Sequence, residues 1–332
     1  MRTYRSSAGL LVFIVSLSIC ISAGEKPRVG IISISGTYQA AIKQYPFPLT
    51  VETSSLYYDE SDHTFYTTAD KGPVHLMKFK LEKDSIKIIR SGAIKGLARN
   101  YDLEGVTIAG EKKDRYLLIS TERWRKKDSI VIFGADLKNW TYLPDKTFAV
   151  TTPGIKENNN FEGVTYDSHA KSIYFVKEHT PYALFSKPES GSSVTTIFSE
   201  AGFQPFYDRF VDSVFSKILD TSTIRRLHPV AFADIAYDAD TENLLILNRF
   251  GRAIIQVKLT EGEKPGWTIV SVWPYFGVDD TSVPGLTDED YLFGQAEGLA
   301  VVGHGSGRTL ALIRDPGTGN RSILTLFPYP GK

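Results

Sequence analysis

Asn160-Phe161-Glu162-Gly163-Val164-Thr165-Tyr166-Asp167, followed by Ile173-Tyr174-Phe175-Val176-Lys177-Glu178, reads as a short strand, a turn and a second short strand ending on a carboxylate. The chain repeats this unit. Glu104-Gly105-Val106-Thr107-Ile108 leads to Tyr116–Glu122, and Glu297-Gly298-Leu299-Ala300-Val301 leads to Leu310–Asp315. Two divergent copies keep the spacing: Ser54–Asp59 with Phe65–Asp70, and Ala233–Asp238 with Leu244–Arg249. The starts at 54, 104, 162, 233 and 297 lie 50 to 71 residues apart. Each period holds three or four apolar segments separated by Gly, Asp, Asn or Lys turns. In the second unit these are 104–109, 115–121 and 129–134, followed by Trp140-Thr141-Tyr142. In the fourth they are 234–237, 243–248 and 253–259, followed by Trp267–Val272. Three or four antiparallel strands per period of this length make a propeller blade. The reading is an all-β, five-bladed β-propeller, with six blades as the alternative. After Glu297 only three strands remain (297–302, 309–314 and 321–327) before the sequence ends. The missing outer strand is expected from the N-terminal lead-in near Thr37–Ile42, pairing the first blade's end of the chain to the last blade and removing an open edge.

The N-terminus carries Arg2 and Arg5, an apolar run from Leu10 to Ile21, and the small residues Ser22-Ala23-Gly24. This pattern predicts a signal peptide over residues 1–24 and one propeller domain over residues 25–332. The apolar run is short for a membrane span, so the expected location is secreted or periplasmic, with a retained anchor as the alternative. No membrane insertion is expected once the signal is removed. Cys20 is the single cysteine and falls inside the signal. The weak lipobox around it has bulky Ile19 where a small residue is needed, and the mature chain then has no thiol chemistry or disulfide. Two glycosylation sequons, Asn139-Trp140-Thr141 and Asn320-Arg321-Ser322, matter only in a eukaryotic secretory pathway. The full chain balances 38 basic against 38 acidic residues, and removal of Arg2 and Arg5 leaves a net charge of −2. There is no basic footprint for nucleic acid. A monomer is expected.

One segment departs from the strand rhythm. Apolar residues at 206, 207, 210, 211, 214, 215, 218 and 219 repeat at helical spacing within Ser199–Arg226. They predict an amphipathic helix inserted between the third and fourth blades. Packing on the side of the propeller is its plain role, and a lid or partner surface the sharper one.

In a blade the first strand lines the channel and the second runs antiparallel beside it. First-strand starts and second-strand ends therefore meet at one mouth. The starts bring Glu104, Glu162 and Glu297, with Ser54 and Ala233 in the divergent units. The ends bring Asp70, Glu122, Glu178, Arg249 and Asp315, flanked by Arg123, Lys177, His179, Asn248 and Arg314. Several carboxylates facing one axis need a counter-charge. A hard cation such as Ca²⁺, held by carboxylates with loop carbonyls and waters, would supply it. Arg123, Arg249 and Arg314 reaching across blades would supply it equally well, and the residues leave both open. Gly105, Gly163 and Gly298 serve either a close backbone approach or a positive φ. No nucleophile elbow, phosphate loop, dinucleotide fingerprint or histidine pair at zinc spacing is present. His179 with Glu178 is the remaining acid–base pair. Trp124 is placed at the rim, and Tyr166 and Tyr237 in the core.

The units Asp102–Val106, Phe161–Asp167 with Val176-Lys177-Glu178, Ala233–Asp238 and Ala296–Leu299 resemble the SdiA-regulated family of propellers, over about residues 50 to 328. The resemblance implies a five-bladed ring distantly related to NHL-repeat propellers, a calcium site and no established activity, with Glu104, Glu162 and Glu297 as the leading ligands. The fourth unit departs from the family pattern: it has Ala233-Asp234 where a small residue and glycine are usual, so Asp234 either joins the mouth or changes its geometry. The Glu-Gly starts are also similar to calcium-dependent lactonases of the gluconolactonase type and to esterase-like phytases, which polarise a substrate oxygen with a metal at the channel mouth. The expected function is an exported calcium-binding module that takes a small molecule or protein at the mouth. The alternatives are a metal-dependent hydrolase at the same place and a ring whose charges serve structure alone.

Overall fold

The computed structural model describes residues 43–69, 75–97, 102–121, 130–150, 161–217, 219, 221–260, 266–275, 296–315 and 321–330, and a two-residue ladder of Leu17–Ser18 with Arg28–Val29. The main body is five four-stranded antiparallel sheets, four in the simple order of a meander and the fifth completed by an N-terminal strand. The first blade comprises Tyr57–Asp59, Thr64–Thr68, Leu76–Glu82 and Ser85–Gly92. The second runs Leu103–Ala109, Tyr116–Thr121, Ile130–Asp136 and Tyr142–Val150. The third has Phe161–Asp167, Ser172–Lys177, Ala183–Pro188 and Thr195–Ser199. Phe232–Asp238, Asn243–Asn248, Ala253–Thr260 and Gly266–Pro274 form the fourth. The fifth joins Ala296–Val302, Thr309–Arg314 and Ile323–Pro328 to Lys43–Pro46 from the N-terminal side. The first strands pack against one another around the axis and close the ring from the fifth blade to the first.

The closing strand is Lys43–Pro46, C-terminal to the expected stretch, and residues 37–42 lie outside the described residues. Lys43 pairs with Leu326 and Pro46 with Ile323. Tyr45 and Phe47 are buried, and Phe47 meets Phe79 of the first blade edge-on at 5.0 Å. Pro46 makes this segment a poor strand by composition. At the outermost edge of a sheet, however, the missing N–H has no ladder partner to lose.

Each blade–blade interface has its own apolar cluster. Phe175 with Phe161 and Phe185 fills that between the second and third blades, for example, and Trp273, Leu299 and Tyr329 lie in that between the fourth and fifth. Strands sandwiched this way are buried on both faces, as Leu103–Ala109 and Phe161–Asp167 are throughout. This is why the units read as apolar runs and not as strict alternation.

The aspartate column of the repeat closes the first hairpin of a blade. Asp59 accepts the N–H of Ser61 at 3.0 Å, Asp167 that of His169 at 2.8 Å, and Asp238 that of Asp240 at 3.1 Å. Four residues after each aspartate the backbone is left-handed, at His63, Lys171 and Glu242. Where the column holds Ala109 or Val302, the next residue is Gly110 (φ 80°) or Gly303 (φ 77°). A side-chain acceptor and a left-handed glycine are two chemical routes to the same reversal.

The inserted helix is α1, Glu200–Phe215, followed by a second short helix, α2, Thr221–Leu227. Phe203, Tyr207, Phe210, Val211, Val214 and Phe215 form its buried stripe. They join Tyr182, Phe198, Phe232 and Val272, so the insertion packs on the joint between the third and fourth blades. The sequence pattern captures the apolar face but begins it too late, because Glu200–Pro205 carries the first turn and its single buried anchor, Phe203.

At the axis the Glu-Gly glycines have a steric purpose. A Cβ on Gly163 would stand 2.6 Å from the amide nitrogen of Ile235 and 2.7 Å from Cα of Asp234 in the next blade, and one on Gly298 would stand 2.4 Å from the carbonyl carbon of Ser55. Of the two sequence-level reasons for these glycines, close approach is the one that holds, and neither has a positive φ. Gly163→Ala should therefore lower stability by roughly 1–3 kcal/mol through backbone displacement. Gly202→Ala in α1, where an added methyl meets nothing within 4 Å, should be neutral or stabilising by up to about 1 kcal/mol. Thermal melts of the two variants check the contrast, and equal losses would contradict it.

Candidate functional site at the channel mouth

A β-bulge sets the direction of the glutamates. In the third blade the register with the second strand shifts between Phe161 and Gly163, and in the fifth between Ala296 and Gly298, leaving Glu162 and Glu297 as the extra residues. The fourth blade shifts in the same place around Ala233, and the second between Leu103 and Val106, which spans Glu104. A bulge takes one residue out of the pleat and re-aims its side chain. The hydrogen bonds around it cross blades. Ser120 donates to the carbonyl of Glu162 at 3.1 Å, and the Thr68 hydroxyl donates to the carbonyl of Glu104.

Arg249 lies among these acids. Its Nη1 contacts Oε1 of Glu297 at 2.6 Å, and its Nη2 forms an ion pair with Oε1 of Glu178. One guanidinium from the fourth blade thus ties the third to the fifth. Burial works against its charge, but Glu297 and Glu178 outweigh burial and hold it protonated more firmly than usual. Glu162 acts in the same direction. The other oxygen of Glu178 contacts Nε2 of His179 at 3.0 Å. Burial pushes the Glu297 carboxyl up to about 7, with Arg249 opposing the rise and Glu178 and Asp315 adding to it.

The predicted site residues separate into groups. Glu162, Glu178, Glu297 and Arg249 share one electrostatic cluster, with Asp315 near enough to oppose ionisation of Glu297. Glu104 is buried at the start of its strand. Asp70, Glu122, Arg123 and Trp124 lie outside the described residues. Asp234 sits deeper than expected. It is 1 % exposed, and its carboxylate accepts the N–H groups of Leu299 at 2.8 Å, Ile235 at 2.8 Å and Leu56 at 3.3 Å. It occupies the glycine column of the repeat, so its side chain enters the gap that glycine leaves elsewhere. Burial raises its pKa well above the ordinary value against the three N–H donors.

Two neighbours of the mouth are committed elsewhere. Asn248 accepts from Ala231 and Gly251 and donates to the carbonyl of Pro229, which fastens the loop after the helices. Lys177 is buried, and its Nζ caps the carbonyls of His179 and Pro181 at 3.0 and 2.9 Å. Tyr237, expected in the core, is half-buried and lines the opposite end of the channel. Phe250 was not anticipated. It stands 52 % exposed beside Arg249, with the guanidinium 5.6 Å from its ring. An aromatic residue inside the turn Asn248–Gly251 was the available signal.

A calcium ion at Glu104, Glu162 and Glu297 finds a poor fit in this arrangement. Arg249 already engages Glu297 and Glu178, and among the described residues no three Asp, Glu, His or Cys side chains converge as metal ligands.

A sequence model of the SdiA-regulated family matches residues 33–266, more than half of the chain. The chain belongs to the SdiA-regulated family. Solved structures match it at low sequence identity. A putative gluconolactonase shares 10 % identity with a TM-score of 0.48, covering 88 % of this chain and 93 % of that one. The major allergen Mala s 1 of Malassezia sympodialis shares 12 % identity at a TM-score of 0.47, covering 86 % and 95 %. A luciferin-regenerating enzyme shares 12 % identity at 0.40, covering 91 % and 95 %.

Two outcomes follow from the mouth. Asp234→Ala should cost roughly 3 kcal/mol or more, because three buried N–H groups lose their acceptor; urea denaturation checks this. For Glu297, a raised carboxyl pKa means that the folded state holds a proton the unfolded chain releases near pH 4.5. Its contribution is most favourable below that pH and is lost as pH rises through about 7. Relative to Glu297→Gln, the wild type should therefore lose stability between pH 5 and 7, measured as a difference in Tm. A gain across that window would contradict the assignment.

Proposed function

We propose that the protein is an exported binding or interaction module that takes its ligand at the acidic mouth, and that a guanidinium–carboxylate lattice forms the floor of that site. The observation that supports this is Arg249, fixed between Glu178 and Glu297 from two other blades and flanked by exposed Phe250. Fixed carboxylates next to an aromatic face suit a cationic group, such as the ammonium or guanidinium of a small molecule or peptide. The bound group would compete with the protein's own guanidinium for the same oxygens.

Calcium is the second reading, and the high pKa of Glu297 favours it, since one arginine leaves that carboxyl short of full compensation. The ion would need Glu104, Glu162 and Glu297 as ligands and Arg249 moved aside. Thermal melting separates the readings, because a bound ion stabilises by mass action. The lattice reading expects wild-type Tm to be unchanged by Ca²⁺ or chelator. It expects Arg249→Ala to lose about 3 kcal/mol through unpaired buried carboxylates, and to regain part of it with Ca²⁺ or methylguanidinium. A wild-type Tm that rises with Ca²⁺ would establish the ion instead. A metal-dependent lactonase or esterase would turn over lactones or aryl esters with Ca²⁺ and lose that activity in Glu162→Gln; a binding module shows no turnover in either case.

A further inference from the structure

The channel has a second end. On the face opposite the mouth, where first strands finish and second strands begin, a cavity of about 350 Å³ opens into the ring. Its ceiling is formed by Leu56, Ile235 and Leu299, the three residues whose N–H groups Asp234 binds on its upper side. None of Glu104, Glu162, Glu178, Arg249 or Glu297 lines it. The Asp234 bridge therefore stands between two separate compartments. The volume lies at the small end of ligand cavities, roughly 300–1,000 Å³, and suits a single ring with its substituents.

The chemistry of the wall is specific. Three carboxylates around the cavity hold a basic partner built into the protein, and Glu60, also in the lining, accepts the N–H of Gly303 at 3.2 Å. Arg115 of the second blade pairs with Asp59 of the first at 2.7 Å and donates to Oγ of Ser61 at 2.7 Å. Asp238 is held by Arg308 at 2.7 Å and accepts the Tyr329 hydroxyl at 2.5 Å. Asp240 at the rim holds His304 at 3.1 Å. The basic groups of the lining are already paired, so an anionic ligand has nothing to exchange for its hydration, and Glu60 is one more acceptor for hydroxyls. What the wall offers is hydroxyls and ring faces. Tyr57 and Tyr237 are half-buried in the lining, and Tyr57 takes a hydrogen bond from Arg115. Val106 and Ile108 supply an apolar side. Aromatic faces that contact C–H groups, with donors and acceptors placed at their edge, suit a ring carrying several hydroxyls.

We propose that this floor cavity is a second ligand site, distinct from the mouth, for a neutral polyhydroxylated ring of monosaccharide size. The two turns at its opening, Asp59–His63 and Asp167–Lys171, place Ser61 and Ser168 in the lining; the Ser61 hydroxyl donates to Asp59 at 2.8 Å, and Ser168 is exposed.

Isothermal titration and saturation-transfer NMR on the full chain test this, with D-glucose, D-galactose and myo-inositol as probes. Gluconate and glucosamine are the charged controls, and benzyl alcohol is the neutral ring without the hydroxyl array. At least one neutral polyol should bind in the millimolar range, with both charged controls and benzyl alcohol about tenfold weaker or worse. Ser168→Trp, a change at an exposed turn residue that blocks access, should abolish the binding. Tyr57→Phe, which keeps the ring and removes one hydroxyl, should weaken it about fivefold. Phe250→Ala at the mouth should leave it unchanged. Absence of binding by every neutral polyol, preference for a charged control or benzyl alcohol, or binding that survives Ser168→Trp would each overturn the proposal.

Discussion

The carboxylate of Asp234 is the interaction on which the centre of this protein depends. Five first strands converge on an axis, and each presents backbone N–H groups that its neighbours crowd. Asp234 accepts three of them, from the fourth, fifth and first blades, with its side chain excluded from solvent. The arrangement is possible because Gly163 has no side chain where Asp234 passes, and Gly298 none where Ser55 and Leu56 pass. Burying a carboxyl costs several kcal/mol unless its oxygens are bonded, and here three donors share that task. The residues whose N–H groups this bridge binds also line the cavity at the other end of the channel, away from the ionic mouth.

Counter-charge at the mouth follows from the repeat itself. A bulge at each Glu-Gly unit turns a glutamate out of the pleat, and the units ending on Glu178 and Asp315 add further acid. Only the fourth unit ends on a cation, Arg249; the fourth and the first, with Ala233 and Ser54, are the units without a first-strand glutamate. In the fourth unit Ala233 stands where three other units have glutamate, and Arg249 where the others end on an acid. Arg249 places one long basic side chain where it can reach the blades on both sides. Guanidinium suits this position because its planar fork meets two carboxylates at once.

Much of this was legible in the chain, for physical reasons that differ by element. Strands buried on both faces and separated by turn residues repeat visibly, so the five blades and their boundaries could be read directly. The helix was visible through its apolar spacing, whereas its start at Glu200 was hidden because Glu200–Pro205 holds a single buried apolar residue, Phe203, and a proline inside the helix. Closure by the N-terminal lead-in was legible from the missing fourth strand, but its place at Lys43–Pro46 was not, because Pro46 disguises an edge strand whose partner lies nearly three hundred residues away. Asp234 looked like another mouth carboxylate. It stands one residue after the glutamate column, in the column of Gly163 and Gly298, and the packing of that column against the neighbouring blades is what buries it. Phe250 gave no periodic signal, since it belongs to a turn. The choice between an ion and Arg249 needed distances across blades, which one sequence does not carry.

The most direct test of this account is a crystal structure at about 2 Å resolution grown in millimolar CaCl₂, with density inspected between Glu178 and Glu297. The account predicts planar guanidinium density from Arg249 bonded to both carboxylates, and no ion at the mouth. A spherical peak with calcium's anomalous signal, ligated by Glu104, Glu162 and Glu297 with Arg249 swung away, would contradict it.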